Sequence, residues 1–578
     1  MRRLSSLGFA ATLIGTSLLT SVAHAQSGDP AGQLGIQPYT GGLLPSVGGN
    51  VGDLRPQLER YFRTSVLPAT APAWVFESSL GVDVGVTDNA LRTTAPRRAD
   101  VFTVLSPTLS LTGDTSRVQT NLVYSPLVQL YATQGSQTQV SQFFNGQSLV
   151  TLVPDALFLD VRGSITQSSL LGSGFNSATT QSTSSFNRQN QVQSITYSVT
   201  PYAEHRFGGW GTARIGYSYT GTIQDAYNDQ ASLNNQFGQG FGQGVNQGLG
   251  YGAIGNLTTN RERASFASGE NLGRFNVLSV LEAIQYDGNG SYSGAYRNQF
   301  TNQLGFALTR KITILGGLGY QDIRYAGAPP LRINEPTWNG GIRYTPNNDS
   351  TITVLYGRRD GAASVSVDAQ FAVTARIRVF GRYSTGITSD IEEAQNVLQT
   401  TSVGPAGLLT DTVTGAPVGG GGSFGVQNGV YRVRRASATA LFLANRDSYS
   451  ATITQEDRTT LTNSSSFFTN GVVPAGVSTS SLYGTASWQH ELTPDMTSTL
   501  SAQYGSTNNA SQFIGTNNGQ QSTVGITAAI SKQFTNTLSG SIRYNYINRF
   551  GSQVGVSSAY NFGNYDENSL LVGLRKSF

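Results

Sequence analysis

From Trp74 the chain alternates with a period of two. Trp74, Phe76, Ser78, Leu80, Val82, Val84 and Val86 fall on one side, and Val75, Glu77, Ser79, Gly81, Asp83, Gly85 and Thr87 on the other. The first set is almost wholly apolar and the second mostly polar or small, which is the spacing of a β-strand with two unlike faces. The pattern returns in Ile312, Ile314, Gly316, Leu318 and Tyr320 against Thr313, Leu315, Gly317, Gly319 and Gln321, and in Ile377, Val379, Gly381 and Tyr383 against Arg376, Arg378, Phe380 and Arg382. Strands this long with one greasy face suit a wall that faces lipid. Because lipid offers the backbone no hydrogen-bond partner, such a sheet must close on itself, with apolar residues outward and polar residues inward. The expected fold is all-β: a transmembrane antiparallel up-and-down barrel.

Connections between the strands alternate in length. Turn signals stand at Gly113-Asp114, Pro154-Asp155, Gly208-Gly209, Arg310-Lys311, Pro346-Asn347-Asn348, Val373-Thr374, Asn445-Arg446, Pro494-Asp495 and Thr535-Asn536. Between them lie longer polar stretches, notably 168–190, 221–262, 386–430, 458–480 and 507–520. Short turns on one rim and long loops on the other are the habit of outer-membrane barrels, the short rim being periplasmic. Counting hairpins gives about 22 strands over 74–578, with the 263–296 region weakly patterned.

Upstream of the barrel the chain reads as an export signal and a linker. Arg2-Arg3, an apolar run from Leu7 to Leu19 and Ala23-His24-Ala25 make a signal peptide over 1–25. Residues 26–73 hold six prolines and read as an extended periplasmic segment, with room for one short helix at Asp53 to Phe62 that would pack at the barrel mouth, dock a partner or plug the lumen. Only 12% of residues are charged, against about 25% in ordinary soluble domains. There is no cysteine, which excludes disulfides and thiolate chemistry. The formal charge of +4 falls by the two signal-peptide arginines, too small a bias to argue for nucleic acid.

Candidate chemistry is sparse. His205 and His490 lie beside short turns, where interfacial hydrogen bonding outweighs general-base work. Asp287-Gly-Asn-Gly-Ser291 opens like a calcium loop but has Tyr292 and Asn298 where the turn glycine and bidentate glutamate belong. The glycine-rich Gly238–Gly244 has no strand-to-helix setting for a dinucleotide. No catalytic residue, cofactor or metal site is therefore expected. One constellation stands out: Arg343, Arg359, Arg376, Arg378 and Arg382 fall on the expected lumen side of neighbouring strands, with Asp368 nearby. Guanidinium groups on a pore wall bias permeation toward anions. The alternative is that they pair with loop carboxylates or lie at headgroups near the short turns.

The terminal strand, Ser569 to Phe578, carries Leu570, Val572, Leu574 and Phe578 on one face, and its last aromatic resembles the signal read by the barrel-assembly machinery. Pro336-Thr-Trp-Asn-Gly-Gly-Ile-Arg-Tyr-Thr-Pro346 with Leu355-Tyr-Gly-Arg-Arg359 resembles the central signature of a beta-barrel porin family that includes PEP-CTERM system-associated outer-membrane proteins. Gly85-Val-Thr-Asp-Asn89, Tyr197-Ser-Val-Thr-Pro-Tyr202, Gly319-Tyr320, Ser487-Trp488 and Leu492-Thr-Pro-Asp495 add to it, so the resemblance spans Trp74 to Phe578. It implies a nonenzymatic conduit or outer-membrane component of exopolysaccharide export, with lipid, the assembly machinery, polysaccharide and periplasmic export components as partners. A general solute porin, a structural or adhesive surface barrel and an outer-membrane hydrolase are the other readings. TonB-dependent uptake is disfavoured, because residues 26–73 are too few for a folded plug domain. Epitopes inserted near Gly240 or Gly420 should be reached by antibody on intact cells, and one at Pro494-Asp495 should not; the reverse labelling would invert this topology.

Overall fold

The computed structural model describes residues 73–169, 191–226, 256–347, 349–403, 409–411, 429–466, 471–473, 475–509, 519–551 and 564–578. The expectations for the signal peptide, for nearly all of 26–73 with its short helix and for the loop tips near Gly240 and Gly420 fall outside these residues. Apart from two small two-stranded sheets, the strands of the described chain form one antiparallel sheet that closes when the first strand, Trp74–Thr87, pairs with the last, Tyr565–Ser577. Twenty-four hydrogen-bonded segments make this ring. Two strands are each interrupted, Val118–Tyr124 continuing as Leu127–Tyr131 and Gln139–Ser141 as Phe144–Val153, which leaves 22 strands. Pro126, which has no N–H for the ladder, sits at the first interruption.

Closure is a matter of register. Val82, Val84 and Val86 lie opposite Leu574, Val572 and Leu570, and all six are exposed on the outer face. Asp83 points the other way, opposite Gly573, where a Cβ would lie 1.9 Å from an Asp83 carboxylate oxygen. Glycine is what admits the carboxylate there. Phe578 adds a hydrogen bond from its N–H to the Ser78 carbonyl (2.9 Å) and leaves its ring exposed.

All the turn signals read from the sequence lie on one rim, joined by the turn at 269–274 in the weakly patterned region, which forms the regular strands Leu257–Ser268, Phe275–Gly288 and Tyr296–Ala307. Outward aromatics collect near this rim, among them Trp74, Trp210, Phe275, Trp488 and Phe534, as a membrane interface requires. On the opposite rim the connections are mostly longer. An exception is the two-residue turn Asp360-Gly361, which closes the ten-residue strand Ser350–Arg359. Both turn residues have positive φ (53° and 75°), the geometry of a tight hairpin and one that glycine tolerates best. A closed wall of this size with an outward apolar band is an outer-membrane barrel.

The outer face should therefore reject charge. Leu318, 71% exposed at the middle of its strand, is the test position. Leu318→Arg should lower unfolding stability in lipid vesicles by about 2–4 kcal/mol, whereas arginine at the half-buried Ser501, which faces the lumen beside outward Leu500, should cost much less. Equal losses at the two sites would contradict the assigned inside and outside.

Candidate functional site: a helix tethered inside the lumen

The long connection after strand Ile377–Thr388 does not stay outside the barrel. Helix α1, Asp390–Thr400, lies buried within the lumen, an element that the sequence reading placed in a polar loop. Its local signal was present: Ser389-Asp-Ile-Glu392 has the spacing of a capping box, and the Ser389 hydroxyl accepts the Glu392 N–H at 3.2 Å. Asp390, Glu392 and Glu393 crowd the first turn, where the helix dipole favours negative charge.

Sheet register explains how α1 comes to be inside. Strand Ile377–Thr388 pairs with Ala362–Thr374 only as far as Val367 opposite Tyr383. Its remaining residues, 384–388, pair with 431–435 on the other side alone. The strand tip thus leaves one neighbour and turns inward. Ile387 is buried with Ile391, Tyr292, Ile323, Tyr325 and Ile333, an apolar cluster under the N-terminus of α1.

Both ends of the helix are held. At the N-terminus Tyr431 donates to Asp390 (2.6 Å), Arg458 pairs with Asp390 (2.7 Å), Tyr325 donates to Glu392 (2.8 Å), and Tyr292 bonds Ser389. Arg435 reaches Glu393 (3.3 Å) and also pairs with Glu456, which Arg458 shares. At the C-terminus the Arg162 guanidinium donates to the carbonyls of Leu398 (3.1 Å) and Gln399 (3.0 Å), a cation at the negative end of the dipole, while Asp160 holds Arg162 at 2.8 Å. Gln399 donates to Thr220 (2.8 Å), Arg261 to Asn396 (3.1 Å), and Thr259 to Gln395 (2.6 Å). Arg162 belongs to the fifth strand of the ring and Arg458 to the seventeenth, so α1 is tied to opposite walls.

Around Glu393, which has no exposed surface, three carboxylates face two guanidinium groups: Asp390, Glu393 and Glu456 against Arg435 and Arg458. Burial pushes the Glu393 carboxyl up to about 7, against the pull of Arg435 and Arg458 and with the push of Glu456 and Asp390. Burial likewise raises Glu392, opposed by Arg297. A cavity of 60 Å³ beside this end of α1 is lined by Arg261, Glu282, Tyr286, Arg297, Arg359 and Glu392 among others.

The arginines singled out in the sequence are scattered about this site. Arg359 lines the cavity, 3.8 Å from Asp360. Arg382 pairs with Asp368 at 3.2 Å on the inner wall, and Arg343 donates to Thr353 at 3.3 Å. Arg378, half-buried, lies on the same face nearer the short rim. Arg376 is instead exposed in the turn after Thr374. The guanidinium groups that hold α1 are instead Arg162, Arg261, Arg435 and Arg458, which were not picked out, because nothing in their local sequence separates them from other inward polar positions. His205 stacks edge-on against Phe207, and His490 bonds Asp447 at 2.9 Å, both near the short rim. Asp287–Ser291 ends a strand and enters a single 3₁₀ turn, and no metal-ligating cluster occurs among the described residues.

No family model and no curated protein matches this chain, so the resemblance to PEP-CTERM-associated proteins rests on its motifs alone. Solved structures similar to it include the ferric-catecholate import receptor Fiu from E. coli K12 (11% identity, 89% of this chain and 82% of that one, TM-score 0.46). The ferric enterobactin receptor PfeA from Pseudomonas aeruginosa follows (12%, 87% and 80%, 0.44), as does the FrpB iron transporter from Neisseria meningitidis (7%, 87% and 82%, 0.37). At these identities and scores the likeness carries no argument about solute or partner.

Docking of α1 should depend on pH through Glu393. Its docked carboxyl holds a proton more firmly than a solvated one, so docking is strongest below about 4.5, weakens as pH rises toward about 7, and is flat above. Amide protection along α1, corrected for intrinsic exchange, should fall across that window in the parent and fall less in Glu393→Gln, where the raised Glu392 carboxyl remains. A level profile in the parent would refute the coupling.

Proposed function

We propose that this chain is a nonenzymatic outer-membrane conduit for hydrophilic solutes or polymers, with α1 as its lumen constriction. The observation that carries the reading is the tethering of α1 to opposite inner walls by polar side chains. A ring of 22 strands encloses more space than its own inward side chains fill, so passage is set by what else occupies the lumen. Polar tethers suit that task, since each can be exchanged for water when the helix moves, whereas an apolar interface could not be wetted without cost. The inward-turning strand tip, released from its neighbour beyond Tyr383, supplies a natural hinge.

Within this reading, service in exopolysaccharide export is supported by the motifs between Trp74 and Phe578. A general porin is the second reading, favoured by the paired charges along the narrowed wall, such as Arg382 with Asp368 and Arg359 with Asp360. Cells lacking the protein should retain polysaccharide on the inner side of the outer membrane if export is its task, and show unchanged extracellular polysaccharide if it is a general porin.

In planar bilayers, replacing residues 389–403 with a Gly/Ser linker should raise single-channel conductance several-fold over the parent, the lumen being widened by a helix of roughly 10 Å diameter. Absence of current from both proteins would remove the conduit reading in favour of a structural or partner-binding barrel.

A further inference from the structure

We propose that the lumen wall formed by strands between Leu127 and Ala226 is a binding face for neutral saccharide. The inference deepens the conduit reading and rests on it for the ligand's route of entry. Midway along this wall the inward positions are mostly hydroxyls and amides in adjoining register. Asn145 lies opposite Ser164, Ser164 opposite Thr196, and Thr196 opposite Thr222, while Gln139 lies opposite Gln129. The alternate positions Val161, Tyr197, Val199 and Ile223 are exposed on the outer face, which fixes the polar set as inward.

These side chains are deeply buried yet incompletely bonded. Asn145 is 1% exposed and neither its amide nitrogen nor its amide oxygen has a hydrogen-bond partner. Ser141, Ser164 and Ser194, at 0%, 2% and 6%, have unpartnered hydroxyls, and the Gln139 and Gln147 amide oxygens are likewise unmatched. Buried polar atoms are nearly always hydrogen-bonded in native proteins, so this density on one wall marks groups that meet an external partner. Further along the wall the hydroxyls bond one another, Thr196 with Thr222 (3.2 Å) and Ser198 with Ser218 (3.2 Å). Each can rotate to donate or accept, so the row adapts to another hydroxyl.

The chemistry selects the ligand class. Unmatched donors and acceptors are both present, as on Asn145, and none is ionic, so a phosphate or carboxylate would find no counter-charge among them. The ion pairs on this wall, Arg162 with Asp160 and Arg214 with Glu204, are already engaged, the first also with α1. An apolar ligand would leave every unmatched atom as it stands. A polyhydroxylated neutral ligand offers hydroxyls that both donate and accept. The wall also adjoins the C-terminal end of α1, where Gln399 bonds Ser218 and Thr220, so a sugar seated here lies beside the constriction.

The folded barrel, purified in an amine-oxide detergent so that no sugar headgroup competes, would be titrated with isomaltohexaose as the neutral probe and a hexagalacturonate as the anionic one. Saturable binding of the neutral hexamer is expected, weakened about tenfold in Asn145→Leu for the loss of one to two hydrogen bonds, with Asn145→Gln restoring part of it. Heat-modified gel mobility checks that each variant is folded, and Ser164→Ala replaces Asn145→Leu if that variant is not. No saturable binding, an unchanged affinity in the folded variants, or tighter binding of the uronate would each overturn the assignment. Bilayer current separates the two readings: a barrel that binds the hexamer but passes no current, even without α1, fails as a conduit and keeps this site.

Discussion

The bilayer's refusal to hydrogen-bond the backbone governs everything else in this molecule. Each strand must find a neighbour on both sides, and the first must find the last, which it does from Ser79 opposite Ser577 to Thr87 opposite Ser569. Once the ring is closed, the outer face is fixed as apolar and the inner face is free to carry polarity that no soluble core of this size would hold. That freedom is why Gln129, Asn145, Thr220 and Arg458 are buried in one protein. The tip of one strand shows the limit of this pairing: where the ladder stops at Val367 and Tyr383, residues 384–388 keep only 431–435 as a neighbour and lead into α1 in the lumen.

Inside, the two ends of α1 meet different chemistry. Its N-terminal acids face Arg435 and Arg458 among buried tyrosines, and its C-terminal carbonyls face Arg162 and a row of hydroxyls. Buried ion pairs contribute little net stability after desolvation, but removing one partner is costly because a bare charge remains. The cluster therefore specifies where the helix sits more than how firmly the barrel folds. With three carboxylates on two guanidinium groups, one proton would balance the charge, and burial pushes the Glu393 carboxyl toward holding it.

Most of the wall was legible in the sequence because a period of two is written into most strands between Trp74 and Phe578, the 263–296 region being the weak exception. The turn at 269–274 was missed because Gly269-Glu-Asn-Leu-Gly273 spreads its signal over a short 3₁₀ turn in place of a compact Gly-Asp or Pro-Asp pair. The interior was far less legible. A capping box at Ser389 announces a helix, but nothing in the eleven residues says that it folds inward; that follows from a missing ladder partner six residues upstream, a property of register between strands. The arginine ladder was read from parity alone. Parity places Arg382 inward but cannot tell that Asp368 engages it, nor that Arg376 falls in a turn where parity no longer applies.

The division of the lumen into a charged side and a neutral side bears on how a barrel this wide can be selective. In the proposed conduit, ion-paired groups of balanced charge would act on small ions over several ångströms, with salt weakening the effect. Hydroxyls and amides act only in contact and sort by hydrogen-bond pattern. In the proposed conduit, α1 between the two would oblige a passing molecule to meet both, since the helix is anchored to Arg458 on one wall and to Thr220 on the other. A small ion would register mainly the first and a hydroxylated chain mainly the second. Motion of the helix about its inward-turned strand tip would widen the space along both walls together, so the same hinge that admits a bulky chain would also relax the discrimination against ions.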